Sequence, residues 1–333
     1  DHPSWLGQPE RTYWVDACQF EEGEMTPYQS AEPISVACQV ESPVPGNVFY
    51  PEEKVKLTFQ FYNSRQEEAA ASLRYDLRDY YGKTAKSETL PFSLPGQENL
   101  SRQITLDSLR RKGLYVVDYS LSAKTGDVVR GAVSFCIVAP PLPYSPEEGS
   151  PFGLSSAYGA RVPAVARMGA KWTEARFTWP WLENEQGKLE VDGLAHEVDY
   201  LNKHGINAIG RPERTAKWAG EYSEPTERAL PKEEALPAYE NFVFQVVSRL
   251  KDKVHYWMNW GGEDDLTVKG YAAKMGKSED WVLQRIAEMM KAGYRGAKRA
   301  DPNCVYGGAG QPSGVDCSTH FPFSRKVFAL AGD

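Results

Sequence analysis

The stretch YWMNWGGEDD, residues 256–265, closes on three acids. Glu263, Asp264 and Asp265 follow two glycines and two tryptophans, Trp257 and Trp260. A carboxylate at the end of a buried strand can give a proton to a leaving oxygen or take one from water. A tryptophan beside it offers a broad apolar face for stacking. The plainer alternative is a glycine turn with solvated charges after it. Trp257 and Asn259 alternate, so on a strand they share one face, and Tyr256, Met258 and Trp260 share the other. A buried Asn259 needs hydrogen-bond partners, and a ligand is one way to supply them. Arg176 and Arg211 end two other apolar runs, where each can orient a carboxylate, hold a hydroxyl or form an ion pair. Trp179, Trp181 and Trp218 follow those runs and are candidate stacking platforms or packing residues.

Elements must position these groups, and from residue 151 the pattern alternates strand and helix. FGLSSAYG (152–159), AKWTEARFTW (170–179), INAIGRP (206–212), VHYWMNW (254–260) and CVYGGAG (304–310) read as strands. Helical periodicity spans 161–169, 192–205, 236–253, 278–303 and 320–331. Gly205 is expected to cap one helix at its C-terminus, and Ser278 to cap another at its N-terminus with Glu279 and Asp280 in the first turn. Five successive βα units point to a parallel α/β fold. A (β/α)8 TIM-type barrel is the first reading. A doubly wound sheet is the second, although no GxGxxG follows the first strand.

Ahead of this region the grammar is β. EKVKLTFQFYN (53–63) alternates, with Val55, Leu57, Phe59 and Phe61 on one face. ISVACQV (34–40) and TYWVDACQF (12–20) are further candidate strands, and ASLRYDLRDYYGK, RQITLDSL, GLYVVDYSLSAKTGD and AVSFCIVAP continue the series. Short strands between turn signals predict a β-sandwich over 39–139. Residues 1–38 belong to that sandwich or to a preceding domain. The proline-rich run 140–151 reads as a linker, and the α/β region fills 152–333.

The 333 residues allow two domains. Hydrophobic residues make up 41 % and charged ones 25 %, as in ordinary globular proteins. A net charge of −7 without a Lys/Arg-rich run argues against a nucleic-acid partner. No run approaches the ~18 apolar residues of a membrane span. The five cysteines lack metal-ligand spacing. Cys18–Cys38 and Cys304–Cys317 are possible disulfides, and free buried thiols are the alternative. No cofactor is expected. Nine Trp, 18 Tyr and 13 Phe suit either core packing or a sugar-binding cleft. A nucleophile elbow, a P-loop and an HExxH are all missing, which weighs against peptidase and NTPase readings.

MGAKWTEARFTWPWLENEQGKLEVDGLAHEVDYLNKHGINAI, AKWAG (216–220) and YRGAKRADPNCVYGGAG (294–310) together resemble clan A glycoside hydrolases, particularly those similar to glycoside hydrolase family 39. The piece containing GNVFYPEEKVKLTFQFYN and GLYVVDYSL resembles the Ig-like sandwich that can precede such barrels. The resemblance covers roughly residues 45–333 and rests on the order and spacing of the segments. It implies an oligo- or polysaccharide substrate and two carboxylates at the ends of barrel strands four and seven. Retaining enzymes of this kind hold them about 5–5.5 Å apart. It also implies that Arg176 orients the catalytic carboxylate, that Glu183 is a structural loop acid, and that Trp218 lies in a substrate-contacting loop; Trp179, Arg211, Trp257 and Asn259, read from their own positions, are the further candidates for the substrate site. Together with a chain beginning in Asp, it implies an extracellular or periplasmic setting.

Two departures accompany the resemblance. The family reads "Y-W-E-x-W-N-E-P", whereas Gly261 and Gly262 stand here where Asn and the acid belong. Glu263, one residue later, becomes the candidate acid if the glycine turn takes up the extra residue. The sequence also runs through only about five βα units, so the nucleophile is expected beyond the residues given. Further chain or another subunit would then close the barrel, unless the sheet stays open; oligomeric state is left unassigned. Two other functional readings stay open: a degenerate barrel that binds carbohydrate without cleaving it, and a structural surface module.

Overall fold

The computed structural model describes residues 33–107, 109–142, 150, 152–155, 157–221, 229–259, 265–309, 327 and 329–331, with backbone alone at 265–267, 308 and 309. The candidate strand 12–20, most of the linker, residues 260–264 including Glu263, and Gln311, Asp316 and His320 lie outside the described residues. The chain divides into two compact units. One lies within 9–145 together with 163–169, and the other within 146–162 and 170–333.

The first unit is a two-sheet sandwich. Its strands are β1 (Ile34–Glu41), β2 (Val48–Phe49), β3 (Val55–Asn63), β4 (Ala69–Asp79), β5 (Thr84–Leu94), β6 (Asn99–Leu106), β7 (Gly113–Ala123) and β8 (Val128–Ile137). One sheet runs β1-β3-β6 and the other β2-β8-β7-β4-β5. The period-two pattern of β3 buries Val55, Leu57, Phe59 and Phe61. They share one core with Leu73, Tyr75, Leu121 and Phe135 from the other sheet. The sequence boundary at residue 39 falls inside β1, which pairs along its length with β3. Two strands had gone unread. β2 is only two residues long, and β5 is polar with a proline at 91, which is tolerated because β5 lies at the sheet edge.

Residues 163–169, read from sequence as part of a barrel helix, join this unit. Arg167 ends helix α1 (Val162–Arg167). Its guanidinium lies 3.9 Å from the Tyr50 ring centroid, pairs with Glu53, and donates through Nε to the Val48 carbonyl at 2.9 Å. Cys38, Cys136 and Cys304 are free, while Cys18 and Cys317 lie outside the described residues. Burial pushes the Cys38 thiol up to about 12 and raises those of Cys136 and Cys304, which makes all three poor nucleophiles.

The second unit holds strands β9 (Trp172–Thr178), β10 (Asn207–Glu213), β11 (Tyr256–Asn259) and β12 (Val305–Ala309), all parallel. Their spatial order follows the chain without reversal. A doubly wound sheet reverses at a switch point, so this sheet is singly wound over the described strands. The strand expected at 152–159 shrinks to a parallel bridge between Gly153 and Trp172. Helices α2 (Trp179–Leu182), α3 (Leu194–Lys203), α4 (Leu236–Leu250), α5 (Asp265–Met275) and α6 (Glu279–Ala300) alternate with the strands. Ser278 caps α6, its Oγ accepting from Trp281 N at 3.1 Å, and Gly205 follows α3 with φ +69°. α5 was missed because its residues form no apolar stripe and Gly270 interrupts it.

α4 and α6 pack closely where α6 is glycine. A Cβ on Gly296 would lie 2.3 Å from the Glu240 carbonyl oxygen. Gly296→Ala is expected to cost about 1–3 kcal/mol by overpacking, read from the midpoint of denaturant unfolding.

On α3, Glu197 is half-buried and desolvation raises its pKa. The penalty is absent where Glu197 is protonated in both folded and unfolded chains. It grows as pH rises from the unfolded carboxylate value through the raised folded one. Glu197→Gln is therefore expected to stabilise the protein at pH 7 and to add nothing below about pH 4. Thermal unfolding across pH checks this.

Candidate functional site

Helices cover one face of the parallel sheet. Asn259 is fully buried there, its Oδ1 accepting from Tyr239 Oη of α4 at 3.2 Å and from Tyr306 Oη at 2.9 Å. Trp257 lies on the same face against Gly210, where a Cβ would come within 2.3 Å of its ring. Phe177 packs on it at 5.8 Å between centroids. The alternation of Trp257 and Asn259 is as read from sequence, but their face is the helix-packed one. Among the described residues neither lines the open face, and the buried Asn259 Nδ2 has no hydrogen-bond partner there.

The opposite face carries Trp172, Glu174 and Arg176 of β9, Ile209, Arg211 and Glu213 of β10, and Tyr256 and Met258 of β11. Register aligns Arg176 with Arg211, Thr178 with Glu213, and Glu174 with Ile209 and then Tyr256. Trp172 and Tyr256 meet edge-on at 5.4 Å toward the N-terminal ends. Charges gather toward the C-terminal ends, where parallel barrel folds carry their sites.

Arg211 is the centre of that cluster. Its Nη1 lies 3.0 Å from Glu174 Oε2 and its Nη2 2.8 Å from Glu213 Oε2. Thr178 Oγ1 donates to the second Glu213 oxygen at 3.2 Å. Arg211 and Glu213 side chains are only 12 % and 10 % exposed. Arg176 is 45 % exposed and reaches Glu174 only at 3.5 Å, so most of its donors face outward. Arg211 is thus a largely buried cation held between two carboxylates, and Arg176 is a more exposed cation beside it. Glu174 and Glu213 are site residues that the sequence reading does not single out. Their signal was present: E-x-R at 174–176 and R-x-E at 211–213 put acid and base on one strand face.

Trp179 is a further correction. It is 0 % exposed, stacks on Phe242 at 5.5 Å, and meets Trp218 and Tyr239 at 5.4 and 5.5 Å. Pro180 sits in the first turn of α2, which Trp179 opens. Its Nε1 donates to Glu183 at 2.6 Å, and Glu183 also accepts from Gly187 N at 2.8 Å. Glu183 therefore holds the 183–187 loop. Trp218 is half-buried, with its Nε1 donating to the Glu183 carbonyl at 3.2 Å. Trp181 is 53 % exposed and open to stacking.

β11 ends at Asn259, directly before residues 260–264. A bulge lies between β11 and β12, with Met258 opposite Gly307 and Asn259 opposite Ala309. The extra residue sits in β12, so β11 itself gains none. Among the described residues, no three His, Cys, Asp or Glu gather as metal ligands would, and no helix is long and apolar enough to cross a membrane.

No family model and no curated protein sequence matches the chain. Solved structures do. A family 39 glycoside hydrolase from the gut symbiont Bacteroides cellulosilyticus WH2 aligns with a TM-score of 0.53 and 16 % identity, over 81 % of this chain and 50 % of that one. The chain shares that enzyme's fold. It spans about half the enzyme's length. A Bacteroides uniformis β-glucuronidase aligns at TM-score 0.31 with 12 % identity, over 83 % of this chain and 33 % of that one. A putative β-galactosidase from Bacteroides fragilis aligns at 0.28 with 12 % identity, over 87 % and 40 %. Scores that low add nothing to the first.

Proposed function

We propose that the protein cleaves glycosidic bonds in an oligo- or polysaccharide by a two-carboxylate retaining mechanism. The reading takes the first unit as an Ig-like sandwich and the second as part of a (β/α)8 barrel whose remaining strands come from further chain or another subunit. The observation that carries it is the Glu174–Arg211–Glu213 cluster with Arg176, on the open face at the C-terminal ends of sequentially ordered parallel strands. The fold likeness to a family 39 enzyme supports it.

Glu263 is the proposed acid. It protonates the glycosidic oxygen as a carboxylate beyond the residues given attacks the anomeric carbon. Water then breaks the resulting ester bond, with Glu263 taking its proton. Arg176, exposed and weakly paired, is the cation that would face the nucleophile and favour its ionised form. Arg211 would donate to substrate hydroxyls only through what its two carboxylates leave free. Trp181 and the exposed part of Trp218 are the proposed stacking surfaces. The setting is proposed to be extracellular or periplasmic, by likeness to the family.

The test is Glu263→Gln in the full-length protein. Hydrolysis of a responsive glycan should fall by roughly 10²–10⁴, with binding retained. Full activity in that variant would remove Glu263 from the mechanism. The Gly261–Gly262 pair favours a second reading, a barrel that binds glycans without cleaving them. It predicts binding and no turnover with the purified wild type.

A further inference from the structure

We propose that the C-terminal end of β10, residues 211–215, forms a subsite for an anionic group on the glycan, a carboxylate or a sulfate, with Arg214 as its cationic anchor. The inference rests on the glycan-processing reading above and sharpens it to an acidic substrate.

Arg214 follows Glu213 directly and has φ +66°. For a residue with a Cβ this left-handed backbone is costly, and such strain persists where the surroundings impose it, characteristically at ligand sites. Glycine would adopt it freely. Its half-buried side chain makes no hydrogen bond or ion pair with any described residue, unlike Arg167, Arg211, Arg285, Arg295 and Arg299 in the same protein. The chain therefore bears a strained backbone and, among the described residues, leaves the guanidinium without an acceptor.

Two neighbours are in the same condition. Thr215 is fully buried, and its Oγ1 has no partner. Arg211 engages Glu174 and Glu213 through its two terminal nitrogens, but its buried Nε has no acceptor. Buried polar groups are nearly always satisfied, so the two buried unmet donors of Arg211 and Thr215, beside the half-buried Arg214, need an explanation; Glu174 Oε2 in the same cluster is an unmet acceptor. Arg211, Arg214 and Thr215 can all donate, and an oxyanion accepts several hydrogen bonds at once. A neutral hydroxyl would meet fewer of them and would leave the Arg214 charge unbalanced. Arg176, aligned with Arg211 on β9, adds an outward cation on the same strand-end face.

The experiment uses the full-length protein with D-glucuronate, D-glucose 6-sulfate and neutral D-glucose at matched ionic strength, read by calorimetry and thermal shift. The anionic sugars should bind roughly tenfold tighter than glucose, and Arg214→Gln should erase that preference. Arg214→Gly should erase it too while raising the Tm of the ligand-free protein, because the strain is relieved. A merely structural Arg214 would give the opposite, a lower Tm in the glycine variant. A stronger response to one anionic sugar supports the proposal and names the group. Equal binding of anionic and neutral sugars, or a preference unchanged in Arg214→Gln, would overturn it. An anion preference lost in Arg214→Gln, from a protein that cleaves and binds no glycan, would keep the subsite and remove the glycoside hydrolase reading.

Discussion

Trp179→Ala is expected to destabilise the α/β unit by about 3–5 kcal/mol, the range for truncating a buried aromatic. The indole has no exposed surface and contacts three other rings. Its N–H is also the partner of Glu183, whose carboxylate is 7 % exposed. Truncation leaves a cavity among Trp218, Tyr239 and Phe242 and strands that acid. Because two units unfold, the measurement must follow the transition of the α/β unit. A change in glycan affinity with unchanged stability would contradict the packing role. Trp181→Ala should behave in reverse, with stability within about 0.5 kcal/mol of wild type and weaker glycan binding.

Arg211→Ala is the second large effect, a loss of about 2–4 kcal/mol. Removing one partner of a buried ion pair costs roughly 3–5 kcal/mol because the other charge is left uncompensated. Here two carboxylates are left, and Glu174, 22 % exposed, can recruit water only away from the buried oxygen that faces Arg211, which softens the loss in part. Glu213, at 10 %, cannot do so as readily. The triple variant Arg211→Met, Glu174→Gln, Glu213→Gln should regain part of the stability, since it removes the stranded charges. Equal losses in the single and triple variants would locate the cost in packing instead.

Much of this architecture was legible because its periods are clean. The β3 alternation, the Ser278 cap and the Gly205 helix end each follow from local rules that the tertiary structure reinforces. Failures came where one residue type serves two environments. Trp179 reads as a strand-end aromatic, and only Pro180 hints that a helix starts there. β11 carries a large aromatic on each face, so alternation pairs Trp257 with Asn259 without telling which face is the open one. The polar cluster was half legible. Arg176 and Arg211 stood out as cations, while Glu174 was passed over because an acid two residues away on a strand looks like surface until register aligns the strands. The strain at Arg214 has no sequence signal, since a backbone angle of that kind is ordinarily marked by Gly or Asn.

The most direct test of the central claim is proton NMR of the first product released from an oligosaccharide by the full-length protein. Retention of anomeric configuration is the predicted result, since a covalent glycosyl intermediate inverts the centre twice. Inversion would contradict the two-carboxylate retaining mechanism. Glycan binding with no product formed would mean that YWMNWGGEDD belongs to a binding barrel rather than a catalytic one.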